Sequence, residues 1–127
     1  MTERRLIAGH SPYEGVAGFS RAVLAGDRVH VAGTAPIPPD GSPPPDGAYE
    51  QAVLCLEIIG EALERAGSGL EHVVRTNIYV TDALHWDEVA RAHGEVFRET
   101  RPAATCVVAR LLDDAWKVEI EAEAILP

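Results

Sequence analysis

The chain has 127 residues, of which 46% are hydrophobic and 24% charged, and its formal net charge is −9. That length suits one ordinary domain with a single core, so one domain over residues 1–127 is expected and a second is excluded. The acidic balance, with 11 basic residues scattered along the chain, argues against a nucleic-acid surface, which draws on clustered Lys and Arg.

In chain order, Arg4 to Ala8 and Ser20 to Leu24 read as short strands, the second closed by the turn pair Gly26-Asp27 before Val29-His-Val-Ala32, which makes a hairpin. Pro36 to Gly47 is dense in Pro, Asp and Gly and reads as a surface loop, because proline cannot take part in ladder bonding. The Pro43–Pro45 run is too short for a proline-rich recognition peptide and reads as a stiff part of that loop. Asp46 is a candidate N-cap for a helix to about Ala66, in which Ala52, Cys55, Leu56, Ile59 and Leu63 recur at three- and four-residue steps, with Gly67 as its left-handed stop.

Glu71 to Thr81 returns to period two, with Val74, Thr76, Ile78 and Val80 on one side and Val73, Arg75, Asn77 and Tyr79 on the other, the pattern of a long strand. A second helix is expected from near Asp82, presenting Trp86, Val89, His93, Val96 and Phe97 along one face until Pro102 ends it. Two strands close the chain, one from Arg101 towards Leu112 and one over Trp116 to Ile125. In the last, Val118, Ile120, Ala122 and Ala124 alternate with Glu119, Glu121 and Glu123, so the three carboxylates share one surface roughly 7 Å apart.

Strand, hairpin, helix, strand, helix, strand, strand packs as an α+β domain, one mixed sheet with both helices on one face. If the helices cover Val118, Ile120 and Ala122, the other face carries Glu119, Glu121, Arg75, Asn77, Tyr79, Ala104, Cys106 and Arg110. Such a half-polar surface faces water or meets another subunit. Cys55 and Cys106 stand in no Cys-x-x-Cys or Cys/His spacing, so neither a zinc site nor a disulfide framework is expected. Leu6-Ile-Ala is too short an apolar run for a secretory signal, and no stretch approaches the roughly 20 apolar residues of a membrane span. A cytoplasmic protein without membrane contact is expected.

Five segments, Gly18-Phe-Ser-Arg-Ala-Val, Val31-Ala-Gly-Thr-Ala-Pro36, Asn77-Ile-Tyr-Val-Thr-Asp82, Arg101-Pro-Ala and Val118-Glu-Ile-Glu-Ala122, occur in an order and spacing that resemble the RidA (YjgF/YER057c) family over nearly the whole chain. The resemblance implies a fold similar to the small bacterial chorismate mutases. It also implies a homotrimer with small-molecule clefts between neighbouring subunits, and hydrolysis of 2-imino and enamino acids without metal or organic cofactor. In the deaminases of that family an arginine after the Pro-Ala pair grips the substrate carboxylate; this chain has Ala104 there. Phe19 replaces a tyrosine, Ala32 a serine and Ala90 an asparagine, while Cys106 and Glu119 match. The chain thus resembles the branches that lack the arginine, and ordinary 2-iminopropanoate deamination is not expected of it.

Among candidate site residues, Glu119 reads as a general acid/base in a partly desolvated cleft, or as a salt-bridged strand glutamate. Cys106 either lines the cleft or is a packed, inert thiol. Arg21, on the strand face of Phe19, and Arg101, before Pro102, are candidate anion anchors in place of the missing arginine, or simple surface cations. Phe19 and Trp116 would wall a ligand, Ala32 and Ala104 would line the cleft without polar contact, and His30 would reach towards it. His93 reads as a packed imidazole, and Glu121 and Glu123 as partners of Arg75 or Arg110. The leading expectation is hydrolysis or tautomerisation of an imine, an enamine or a related metabolite. A non-catalytic metabolite-binding trimer is the alternative, and a ribonuclease the least favoured.

Overall fold

The computed structural model describes residues 4–127. Strands β1 (Arg4–Ile7), β2 (Ala22–Ala25), β3 (Arg28–Thr34), β4 (Val73–Val80), β5 (Ala103–Val108) and β6 (Val118–Ile125) form one sheet in the order β1-β2-β3-β6-β4-β5. Every pairing is antiparallel except β4 with β5. The connection between those two strands is the helix α3 (Trp86–Phe97), the crossover that a parallel pair requires. The longer α2 (Ala48–Arg65) contacts β3, β6 and α3, so both main helices cover one face of the sheet, as the hydrophobic spacing predicts. No helix among the described residues is long and apolar enough to cross a membrane.

In α2 the buried side chains are those of the three- and four-residue pattern, among them Ala52, Cys55, Leu56, Ile59 and Leu63. The helix stops because Gly67 takes φ 91°, a conformation costly for any residue with a Cβ, and the Ser68 N–H closes onto the Leu63 carbonyl at 2.8 Å. The start differs from expectation. The N-cap is Gly47, without a side-chain hydrogen bond, while the Asp46 carbonyl accepts from Lys117 Nζ at 2.6 Å. Gln51, fully buried, donates to the carbonyls of Pro45 and Ala115 and accepts from the Lys117 N–H. One amide thereby ties the proline-rich loop to the start of β6.

Three corrections concern local register. A short helix, α1 (Tyr13–Ala17), lies between β1 and β2; its five residues bury nothing, so no periodicity announces it. In β4, Val73 is 2% exposed and Val74 41%, the reverse of the alternation read from sequence. The pairing with β6 slips between Val73 and Arg75, and this bulge inserts Val74 as an extra residue that restores phase from Thr76 onward. The second helix begins at Trp86 rather than near Asp82: the Asp82 carboxylate accepts the Leu84 N–H at 2.8 Å and caps a 3-10 turn over Ala83–His85. Trp86 remains exposed, and Val89, Ala92 and Phe97 form the buried face of α3.

A further correction bears on function. β5 pairs in parallel with β4 so that Ala104 lies beside Thr76 and Cys106 beside Ile78. Residues paired in adjacent strands point the same way, and Thr76 and Ile78 are core residues. Ala104 and Cys106 therefore belong to the helix-covered side and not, as expected, to the face of Glu119 and Glu121.

Candidate functional site

Glu119 projects from β6 between its partners on β4 and β3. It is paired with Tyr79, and its carboxylate lies directly against the Gly33 backbone, where a Cβ would come within 2.5 Å of Oε2. The β3–β6 register shifts between Val31 and Thr34, so Gly33 sits in a bulge, a position where a strand glycine admits the close approach of another group. The signal was visible as a glycine inside the apolar run Val29 to Thr34. Its consequence, a seat for a carboxylate, was not.

Arg21 stands behind this seat. It is 5% exposed, its Nη2 donates to the Gly33 carbonyl at 2.5 Å, and its Cζ is 5.7 Å from the Phe19 ring centroid. Nε is buried without an acceptor among the described residues. Burial lowers the Arg21 pKa, opposed by the fields of Glu14 and Glu119, yet a guanidinium remains charged under all ordinary conditions. Glu14 is held in turn by the N–H groups of Gly9 and Ser11, at 2.9 and 3.2 Å.

Glu119 and Arg21 share a cavity of about 420 Å³ with Phe19, Ala32 and Trp116, and Tyr13, Ile37 and Leu112 form much of its apolar wall. Burial pushes the Glu119 carboxyl above its ordinary value; Arg21 pulls it down and Glu121 pushes it up further. A carboxyl so placed is more basic than one in water and holds or delivers a proton nearer neutral pH.

The remaining candidates lie elsewhere. Arg101 lines a second cavity with His93, Phe97 and Pro102 and takes φ 51°, its N–H reaching the Phe97 carbonyl at 2.8 Å. It closes the turn that follows α3 in a left-handed conformation. His93 packs as expected, 4.6 Å from the Phe97 ring and 2.9 Å from Thr76 Oγ1, and burial lowers its pKa. Cys106 is partly buried against the core, and burial raises its thiol pKa, as it does for the fully buried Cys55. His30 lines a neighbouring cavity of about 530 Å³ on the open side of the sheet, which shares Phe19 and Ala32 with the Glu119 cavity, and lies 3.6 Å from Glu123. Glu121 accepts from the Tyr79 hydroxyl at 2.6 Å instead of meeting Arg75 or Arg110. No group of three or more His, Cys, Asp or Glu that could hold a metal ion occurs among the described residues.

One mixed sheet with its two main helices on one face defines an α+β domain, in which a half-buried carboxylate borders a largely apolar cavity. The model of the family described as Endoribonuclease L-PSP matches residues 9–126, and the chain belongs to this family, also known as RidA/YjgF/YER057c/UK114. It is similar to an uncharacterized protein of Streptomyces coelicolor, 39% identical over 122 residues and covering 95% of this chain and 90% of that one. It is also similar to the crystal structure of Rv2704 from Mycobacterium tuberculosis, a YjgF/YER057c/UK114 family member, at 38% identity and TM-score 0.89, covering 98% of this chain and all of that one. A goat protein named 2-iminobutanoate/2-iminopropanoate deaminase is 28% identical over 123 residues, 96% of this chain and 90% of its own.

Proposed function

We propose that the protein is a Rid-type homotrimer whose clefts, each closed by a neighbouring copy, hydrolyse or tautomerise an imine, an enamine or a related metabolite, with Glu119 moving the protons. The observation that carries this reading is the half-buried Glu119 carboxylate seated on Gly33 in an apolar cavity, with its pKa raised by burial. In hydrolysis Glu119 takes a proton from water as its oxygen bonds to the imine carbon. It returns that proton to the nitrogen of the resulting carbinolamine, and as the C–N bond breaks the carbinolamine hydroxyl gives its own proton to Glu119 and on to the departing nitrogen, so that a protonated imine and water become a carbonyl compound and an ammonium ion. Such proton transfer contributes about 10²–10⁴-fold.

A trimer is supported by what the single chain leaves open. Its second sheet face is polar and uncovered, β5 has one neighbour and is exposed except at the partly buried Cys106, and Ala104 and Cys106 lie two strands from Glu119 on the other face. A second copy laid across that edge would bring the two groups together. The chain is assigned to a branch without the substrate-gripping arginine, because Ala104 stands in its place. Ala32, Ala90, Ala104 and Phe19 favour, as a second reading, a trimer that binds a metabolite without turning it over. The ribonuclease activity in the family's description is not carried over, since a chain of net charge −9 offers a phosphodiester backbone little counter-charge.

Imines generated in place by amine and amino-acid oxidases, with carbonyl release followed against a trapping agent, test the proposal. Acceleration of at least one imine class, lost in Glu119→Gln, is the expected result. No acceleration of any class would leave only the binding reading. Ala104→Arg is expected to introduce activity on 2-iminopropanoate.

A further inference from the structure

The cavity around Glu119 also constrains what enters it. Its wall is made by Tyr13, Phe19, Ile37, Leu112 and Trp116, and its volume of about 420 Å³ falls within the range of pockets that take drug-sized molecules. One cation lines it among the described residues, Arg21, and that guanidinium is recessed. It is buried, bonded to the Gly33 carbonyl and set between the fields of Glu14 and Glu119. Ala32 and Gly33 supply no side-chain donor. A ligand carboxylate entering here would meet Glu119 with no exposed positive group among the described residues to receive it, whereas a nitrogen base would find a carboxylate partner and an apolar wall for its remaining atoms.

We infer that the cleft takes an amine-derived imine or enamine bearing an aromatic or branched aliphatic group and no carboxylate. The inference rests on Glu119 being the functional acid of the proposed site. It separates this chain from enzymes of amino-acid-derived imines by substrate class, and it gives the aromatic wall a purpose that a three- or four-carbon acid would not require.

Stable amines stand in for the protonated imine. Calorimetric titration of the full chain at neutral pH with 2-phenylethylamine against phenylalanine, and 3-methylbutylamine against leucine, compares pairs that differ by one carboxylate; 3-phenylpropanoate serves as the acid without nitrogen. The amines are expected to bind at least tenfold more tightly than their carboxylated counterparts. Glu119→Gln, with its fold checked by circular dichroism, should weaken them at least tenfold, and 3-phenylpropanoate should not bind. Equal or tighter binding of the amino acids, still dependent on Glu119, would overturn the substrate class and leave the proposed site standing. If that binding were lost in Arg101→Ala, a neighbouring copy would be the source of the cation. Failure of every probe to bind the folded wild-type protein would count against both the inference and the site.

Discussion

Gly33→Ala separates the seat of Glu119 from the stability of the sheet. A methyl group at residue 33 would lie 2.5 Å from Glu119 Oε2, where ordinary contact begins near 3.4 Å, so the carboxylate must retreat by roughly an ångström. The atom in the way is the end of a flexible side chain, and the φ of Gly33 is not in the left-handed region. The replacement also restricts the unfolded chain, which is worth about 0.4–1 kcal/mol of stabilisation. Net stability in urea is therefore expected to change by less than about 1 kcal/mol. The Glu119 carboxyl, pushed towards solvent, should lose part of the burial that raises its pKa, and its titration, followed by carbon-detected NMR, should move down towards the ordinary glutamate value. A loss above about 3 kcal/mol would show that the close approach is rigid backbone packing. An unmoved Glu119 titration would refute the claim that Gly33 sets its environment.

The other predictions concern pH, thiols and the buried amide. Because the native pKa of Glu119 is raised above its unfolded value, its contribution to stability is fully present below the unfolded pKa and is lost as pH rises through the native one. Wild-type stability should thus fall relative to Glu119→Gln across that window in parallel denaturant melts; a wild-type gain there would contradict the assignment. Burial raises the pKa of both thiols, so iodoacetamide at pH 7 should modify Cys106 more slowly than free cysteine and leave Cys55 untouched until unfolding, as read by mass spectrometry. Gln51→Leu would strand the Pro45 and Ala115 carbonyls and the Lys117 N–H; at about 1–3 kcal/mol for each unsatisfied group that does not reach water, a loss of about 2–4 kcal/mol in chemical denaturation is expected.

The elements legible in the sequence were those whose burial has a period. The spacing from Ala52 to Leu63 gave α2, and the alternation from Val118 to Ala124 gave β6 and put Glu119 opposite the helices. What failed depended on long-range register. One inserted residue exchanged Val73 and Val74, and the pairing of Cys106 with Ile78 moved Ala104 and Cys106 to the other face of the sheet, a choice that no local pattern encodes. Arg21 likewise reads as an exposed strand cation from its neighbours in sequence. Its burial arises from the Gly33 bulge, from Phe19 beside it and from Gly9, where a Cβ would come within 2.9 Å of the Arg21 side chain.

Subunit complementation tests most directly whether Glu119 works in a cleft closed by a second copy. Glu119→Gln removes the carboxylate from one wall, and Ala104→Trp, at an exposed position of β5, would fill the other. Each variant alone should fail to hydrolyse the imine that the wild type accelerates. When equal amounts are unfolded together and reassembled as trimers, about a quarter of the clefts would combine an intact Glu119 from one chain with an intact Ala104 from its neighbour, and activity should return to about that fraction. If both walls belonged to one chain, no mixed assembly would contain an intact cleft, and the absence of any recovery would contradict the account.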